Sequence, residues 1–306
     1  MSSFLRQEQL GIHKLKMKKN KDIVKNSIQQ YKNEHLKLQD DDVCVEEPLE
    51  FRVPFLLQSG ITEYRTLAIT MRTPGSDFDL ARGFLYSEGV IANASDIVNF
   101  RYCNDRGTAG SRNSLELQLK TPLPVDSHLL ESRFTTYSSC GLCGKTSIQS
   151  LELQNPPRLN EQTDVIGVKS LEQFSAKMLK HQPLYQKTGS SHASGLFDSE
   201  GNIIKICEDI GRHNALDKLI GYCLQEAPEK LANSILLVSG RASFELVQKA
   251  IKSGIPMMAA AGAPSSLAVE TAKRFNLTLI GFLRGSGFNI YNAGWRLKTS
   301  EEEKNV

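Results

Sequence analysis

The fold is decided by the segment NSILLVSGRASFELVQKAIKSGIPMMAAAGAPSSLAVETAKRFNLTLIGFLRGSG, residues 233–287. Aliphatic runs of strand length (NSILLVSG, IPMMAAAGA and LTLIGFLRGSG) alternate in it with amphipathic runs of helical length (SFELVQKAIKSG and PSSLAVETAKRFN). Such βαβαβ alternation predicts parallel strands that are joined by right-handed crossovers, with helices packed on the sheet. The segment therefore indicates an α/β protein.

The residues before this segment extend the pattern. HASGLF and NIIKICED flank the turn-forming DSEGN and predict a hairpin, which is followed by a helix over about 211–224. Nearer the N-terminus, strands are expected around EEPLEFRVPFLLQSG and YRTLAITMRTP. A helix is expected in GSDFDLARGFLYSEGVI, and a β-pair in SDIVNFRYCN and NSLELQLK. This earlier part is typical of an α+β subdomain.

These patterns divide the chain into four parts. Residues 1–45 form a basic extension that we expect to be flexible or partly helical, because residues 1–40 hold nine Lys/Arg against four acids. Residues 46–133 form the N-terminal α+β subdomain. Residues 134–298 form the α/β domain, and residues 299–306 form an acidic tail.

Composition excludes several classes of protein. The 306 residues are 40% hydrophobic and 23% charged with a net charge of +3, so no overall basicity points to nucleic acid. No apolar run approaches the ~20 residues that cross a bilayer. The N-terminus lacks the apolar region of a secretory signal, and six cysteines are too few for a disulfide framework. We therefore expect a cytoplasmic protein.

A lone Cys-x-x-Cys motif, Cys140 and Cys143, lies in TTYSSCGLCGKTS. A structural zinc site needs four ligands, and only distant residues such as Cys207 and His213 could complete one. Dithiol exchange of the thioredoxin type, a sulfur relay through a thiolate, and two plain buried cysteines are the other interpretations. The flanking glycines favour a mobile thiol, and Lys145 would lower its pKa.

Three glycine-containing turns follow the predicted strands: VSGRAS (238–243), AGAPSS (261–266) and FLRGSG (282–287). Ligands of open α/β sheets bind at the carboxyl ends of the strands, where free backbone N–H groups favour phosphate. Arg241 and Arg284 lie within two of these turns and could make forked contacts to phosphate oxygens. No turn matches a Walker A or G-x-G-x-x-G fingerprint, so a conventional ATP or NAD site is not expected.

His213 and Asp217 lie one helical turn apart in CEDIGRHNALDKLIG, residues 207–221. His213 could act as an acid, a base or a ligand, or it could be a packing residue.

Together, TPGSDFDLARGFLYSEGVI, SSCGLCG, TGSSHASGLF, EDIGRHNALDKLIG, VSGRASFELVQKA and PSSLAVETAKRFNLTLIGFLRGSGFNIY resemble the FdhD-type formate dehydrogenase accessory sulfurtransferases. These motifs occur in order from about residue 50 to 291. The resemblance implies a cytidine-deaminase-like mixed or parallel sheet flanked by helices. It also implies a Cys-x-x-Cys loop that holds no structural metal.

The resemblance further implies a function. Such a protein takes sulfur from a cysteine desulfurase as a persulfide on Cys140, with Cys143 as its partner. It transfers the sulfur to the molybdenum bis(guanine dinucleotide) cofactor of formate dehydrogenase. The segment that corresponds to the cofactor-binding stretch comprises Phe282, Leu283, Arg284, Gly285, Ser286 and Gly287. A homodimer would suit a two-nucleotide cofactor. The alternative is a non-catalytic chaperone that only binds the guanine dinucleotide.

Overall fold

The computed structural model describes residues 22–103, 112–125, 148–149, 151–152, 154–159, 166–285 and 287–298. Within these ranges the strands are β1 Ile23–Lys32, β2 His35–Cys44, β3 Glu47–Leu56, β4 Thr62–Arg72, β5 Ile97–Tyr102, β6 Ser114–Leu119, β7 Leu123–Pro124, β8 Ile166–Gly167, β9 His192–Phe197, β10 Ile203–Asp209, β11 Ile235–Val238, β12 Met257–Ala260, β13 Thr278–Arg284, β14 Gly287–Asn292 and β15 Leu297–Lys298. The helices are α1 Asp77–Ser87, α2 Val168–Glu172, α3 Phe174–Lys180, α4 Pro183–Thr188, α5 Arg212–Glu226, α6 Pro228–Leu231, α7 Phe244–Lys252 and α8 Ser266–Arg274.

The large sheet of the described chain has the strand order β10-β9-β11-β12-β13-β14. Strands β11, β12 and β13 are parallel, and β9, β10 and β14 pair antiparallel to their neighbours. The predicted mixed α/β sheet, its parallel centre and the β9–β10 hairpin are thus confirmed. The antiparallel edge strand β14 is an addition that the sequence did not indicate.

Both faces of this sheet are covered because successive side chains of a strand point to opposite sides. Leu236 and Met258 pack on one face with Leu216 of α5 and Leu246 of α7. Ile235, Leu237, Met257 and Ala259 lie on the other face with the side chains of α2 and α3. The short aliphatic strands are therefore buried on both sides, as expected of parallel strands.

The N-terminal subdomain is a second sheet of order β4-β3-β6-β5, with β7 also paired to β3. Its apolar face packs against α1 through Leu80, Ala81, Phe84 and Leu85, all buried. The predicted α+β character of this part is confirmed by these elements.

Helices α1 and α5 cross at two glycines and join the two sheets. A Cβ atom on Gly83 would lie 1.9 Å from the carbonyl oxygen of Asp217, and one on Gly221 would lie 1.9 Å from that of Asp79. Only hydrogen atoms therefore fit between the two backbones at this point. Beside the crossing, the buried Asp217 carboxylate accepts from Lys249 Nζ at 2.8 Å and from Ser87 Oγ at 3.1 Å.

Strands β1 and β2 form an antiparallel hairpin in the region where the sequence predicts a flexible or partly helical extension. Asn33 and Glu34 both have positive φ, 52° and 63°, which is typical of a two-residue type I′ turn. At the base, the buried Cys44 Sγ lies 3.2 Å from Thr73 Oγ1, and β2 packs against α4. Residues 23–44 therefore correct the prediction: turn geometry and packing at the base outweigh the lysine-rich composition.

Candidate functional site

The Cys-x-x-Cys motif lies outside the described residues. The described chain stops at Val125 after β7 and resumes at residue 148, so Cys140 and Cys143 belong to the interval between them. Their role as sulfur-carrying thiols stays a prediction.

The three glycine-containing turns lie side by side at the carboxyl edge of the large sheet. Gly262 N donates to Gly240 O at 2.9 Å, and Phe282 N donates to Gly262 O at 3.0 Å. These bonds continue the β11-β12-β13 pairing beyond the strand ends. The turns therefore form one connected ledge, which we call the strand-end ledge and define by Gly240, Gly262 and Phe282.

Segment 282–287 is built on an irregular connection between β13 and β14, whose register shifts between Gly281 and Arg284. Phe282 has a φ of +58°, a left-handed conformation that is an outlier for a bulky residue. Such backbone strain typically costs ~1–3 kcal/mol and is concentrated at functional sites. The strained backbone holds the Phe282 ring at the surface, 44% exposed.

The other residues of this segment differ in what they can contact. The Leu283 side chain is fully buried in the core, so only its backbone can take part in binding. Exposed Arg284 donates from Nε to Ala261 O at 2.9 Å, which ties the guanidinium to the neighbouring turn. Gly285 has a φ of +56°, and Gly287 is exposed. Ser286 lies outside the described residues.

His213 and Asp217 do not form one site. His213 Nε2 lies 3.1 Å from Glu245 Oε2, and this close approach of the imidazole holds the Glu245 pKa below its ordinary value. Asp217 instead faces Lys249 in the interior, with its side chain only 2% exposed. Asp217 is therefore a structural ion-pair partner.

Sequence reasoning missed a second group of residues around Gly240. A Cβ atom there would lie 3.5 Å from His192 Cε1 and 3.9 Å from Arg212 Cδ, so both side chains border this glycine. His192 Nδ1 lies 3.3 Å from Ser239 Oγ. Burial, together with the charges of Arg212 and His213, lowers the His192 pKa. The only local sign of this group in the sequence was the polar residue at the start of HASGLF, and it does not distinguish this strand end from any other.

Within the described ranges, no group of three or more His, Cys, Asp or Glu side chains could hold a metal ion. None of the helices described there is long and apolar enough to cross a membrane.

The fold and the strand-end ledge define a class of protein: a mixed α/β protein whose central parallel strands end in a connected set of glycine-containing turns. Residues 47–298 match the sequence model of the FdhD/NarQ family, and the chain belongs to that family. It is 44% identical to "Sulfur carrier protein FdhD" of Nocardia farcinica, covering 85% of this chain and 89% of the relative. The protein of the same name from Streptomyces coelicolor is also 44% identical, covering 82% and 87%.

A crystal structure described as a putative formate dehydrogenase accessory protein from Desulfotalea psychrophila shares the fold, with a TM-score of 0.68. It covers 90% of this chain and 100% of its own, at 22% sequence identity.

Proposed function

We propose that this protein is a sulfurtransferase that carries sulfur as a persulfide on Cys140. The sulfur comes from a cysteine desulfurase and goes to the molybdenum bis(guanine dinucleotide) cofactor, which is the acceptor substrate, for use by formate dehydrogenase. The observation that carries the proposal is the 44% identity, over 85% of the chain, to a protein named as a sulfur carrier. The Cys-x-x-Cys motif supplies the chemistry.

Loading is a thiol exchange without net oxidation. The Cys140 thiolate attacks the terminal sulfur of the desulfurase persulfide, a new S–S bond forms on Cys140, and the desulfurase thiolate leaves. The glycines that follow both cysteines give the backbone freedom that a sulfur moving between two proteins requires.

Release as sulfide needs two electrons, and the second cysteine supplies a route. The Cys143 thiolate attacks the inner sulfur of the Cys140 persulfide, the Cys140–Cys143 disulfide forms, and hydrosulfide leaves toward the metal. The two thiols provide both electrons. A cellular dithiol reduces the disulfide before the next cycle, which fits a cytoplasmic location.

The acceptor substrate is held at segment 282–287 of the ledge. The exposed Phe282 ring offers a flat surface on which a guanine base can stack. Arg284 is fixed through Nε to Ala261 O, and its Nη groups carry the remaining donors for phosphate oxygens. Because the acceptor contains two guanine dinucleotides, a homodimer that offers two ledges would match it.

The proposal is tested by the maturation of formate dehydrogenase in cells that lack their own carrier. Cys140→Ala should abolish formate dehydrogenase activity, and Cys143→Ala should reduce it. The matched control is Cys103→Ala, because Cys103 is half-buried and its pKa is raised by burial and by Glu116. Full activity of Cys140→Ala would refute the proposal and favour a chaperone that only binds the cofactor.

A further inference from the structure

A cleft lies where the N-terminal subdomain meets the end of α7, away from the strand-end ledge. Helix α7 runs back from the carboxyl end of β11 to the start of β12, so its last residue, Lys252, is ~13 Å along the helix axis from the ledge. The cleft has a volume of about 410 Å³, which is within the range of small-molecule sites. We call it the Lys252 cleft and define it by Ile91, Asp96, Leu119, Lys120 and Lys252.

Hydrogen bonds hold the walls of the Lys252 cleft in place. Tyr86 Oη donates to Lys252 O at 3.1 Å and so ties α7 to α1. Lys120 N donates to Asp96 O at 2.9 Å and joins the turn after β6 to the connection after α1. Asp96 Oδ2 also accepts from two backbone N–H groups of its own connection, both at 2.9 Å. The cleft is therefore formed before any ligand enters it.

The Lys252 ammonium group has no counter-ion among the residues that the structure describes. Its Nζ atom donates to the neutral Gln154 O at 3.3 Å, and no ion pair joins it to a carboxylate there. Lys249, one turn earlier on α7, instead has its Nζ atom 2.8 Å from Asp217 Oδ1. Burial lowers the Lys252 pKa, and no acid offsets this effect. A half-buried cation without a partner is unfavourable, so this ammonium group is suited to an anion from outside.

The other side chains of the Lys252 cleft indicate which kind of anion. Lys120 brings a second ammonium group and Asp96 brings one carboxylate, which leaves one positive charge over. A ligand with a single negative charge balances it, whereas a phosphate dianion would place an excess charge near Asp96. Ile91 and Leu119 are only 5% and 7% exposed and form an apolar wall. This wall is suited to a hydrocarbon group.

We propose that the Lys252 cleft binds a small monocarboxylic acid. Its carboxylate lies on the Lys252 ammonium group, and its hydrocarbon part lies on Ile91 and Leu119. The site goes beyond the proposed function, because it shares no residue with the Cys-x-x-Cys motif or the strand-end ledge. A bound acid contacts both the N-terminal subdomain and α7, so it should also raise the melting temperature of the protein.

Calorimetric titration of the full-length protein with hexanoate, hexanamide and inorganic phosphate tests the proposal. Hexanoate should bind more tightly than hexanamide, which lacks the charge, and than phosphate, which lacks the hydrocarbon. Lys252→Met keeps an apolar stem but removes the ammonium group. It should weaken hexanoate binding by about tenfold or more, the loss expected for one hydrogen bond to a charged group. The variant should fold as wild type does, because no described carboxylate loses an ion-pair partner.

NMR of the ¹³C-methylated lysines provides a second measurement. Hexanoate should raise the Lys252 pKa, because a nearby carboxylate favours the charged amine. The matched control is Lys273→Met, since Lys273 is an exposed lysine in the last turn of α8 and should leave hexanoate binding unchanged.

Three results would overturn the proposal: a wild-type protein that binds no hexanoate, equal affinity of wild type and Lys252→Met for hexanoate, or a Lys252 pKa that hexanoate does not change. Sulfur loading of the wild type is measured separately. A protein that binds hexanoate at Lys252 but never loads sulfur would contradict the proposed function and leave the Lys252 cleft standing.

Discussion

Replacing Gly83 by alanine tests the helix crossing that joins the two sheets. The added Cβ atom would lie 1.9 Å from the Asp217 carbonyl oxygen and 2.9 Å from Gly221 N. An ordinary contact begins at 3.4 Å, so α1 and α5 would have to separate by about 1.5 Å. Both partners are backbone atoms within helices, which cannot rotate away as a side chain can.

The cost follows from what the separation breaks. Overpacking of a filled interior costs ~1–3 kcal/mol. The movement also stretches the bond from Arg82 Nη1 to Gly221 O, now 3.2 Å, and the bond from Ser87 Oγ to Asp217, now 3.1 Å. Each of these bonds contributes ~1 kcal/mol. Gly83→Ala should therefore lower the free energy of unfolding by ~3–5 kcal/mol.

Urea unfolding monitored by circular dichroism measures this loss of unfolding free energy. Gly221→Ala should lower the unfolding free energy by a similar amount. The control is Gly287→Ala, which adds a Cβ atom with no neighbour within 4 Å and should change the unfolding free energy by less than ~0.5 kcal/mol. In an unpacked helix, alanine is more stable than glycine by ~1 kcal/mol. A Gly83→Ala protein as stable as wild type, or more so, would therefore refute the close approach of the helices.

Three further predictions concern ionisable groups that are buried or half-buried. Lys249→Met should destabilise the protein by ~3–5 kcal/mol in urea unfolding, because it leaves the Asp217 carboxylate buried without its cation, and adding Asp217→Leu should recover part of the loss. The His192 imidazole should titrate below pH ~6.5 in an NMR titration, because burial lowers its pKa. As the pH falls below ~6.5, the unfolded chain therefore binds a proton on this histidine before the folded protein does, and the free energy of unfolding decreases. A titration midpoint above 6.5 would contradict this. Cys207 and Cys223, whose pKa values burial raises to about 12, should resist iodoacetamide in the native protein and react after unfolding, as mass spectrometry would show.

The sequence predicted those parts of the fold that have a local periodicity. The strands and helices of residues 233–287 alternate, and the spacing of the apolar residues changes clearly from one element to the next. Their order is confirmed by β11 to β13, with α7 and α8 between them. The β1–β2 hairpin could not be predicted in the same way. Its outer residues, such as Tyr31 and Leu38, are 69% and 74% exposed. Because these residues are not buried, the sequence shows little of the alternation between apolar and polar residues that predicts a strand.

The site was predicted only in part for a related reason. The three strand-end turns carry glycines that sequence inspection can find, and the parallel sheet brings them together. The residues around Gly240 come from β9, α5 and the turn after β11, which are far apart in the sequence. No spacing rule links His192 to Arg212 before the fold is known. The left-handed backbone of Phe282 also has no signature in its own sequence, since strain arises from the register shift beside it.

The central claim, that Cys140 carries sulfur, is tested most directly by peptide mass spectrometry. The protein is incubated with a cysteine desulfurase and cysteine and then digested without a reductant. We predict that the Cys140 peptide gains about 32 Da, the mass of one sulfur atom, and that a reductant removes the gain. The same added mass on a Cys140→Ala protein, or none on wild type beside an active desulfurase, would contradict the account.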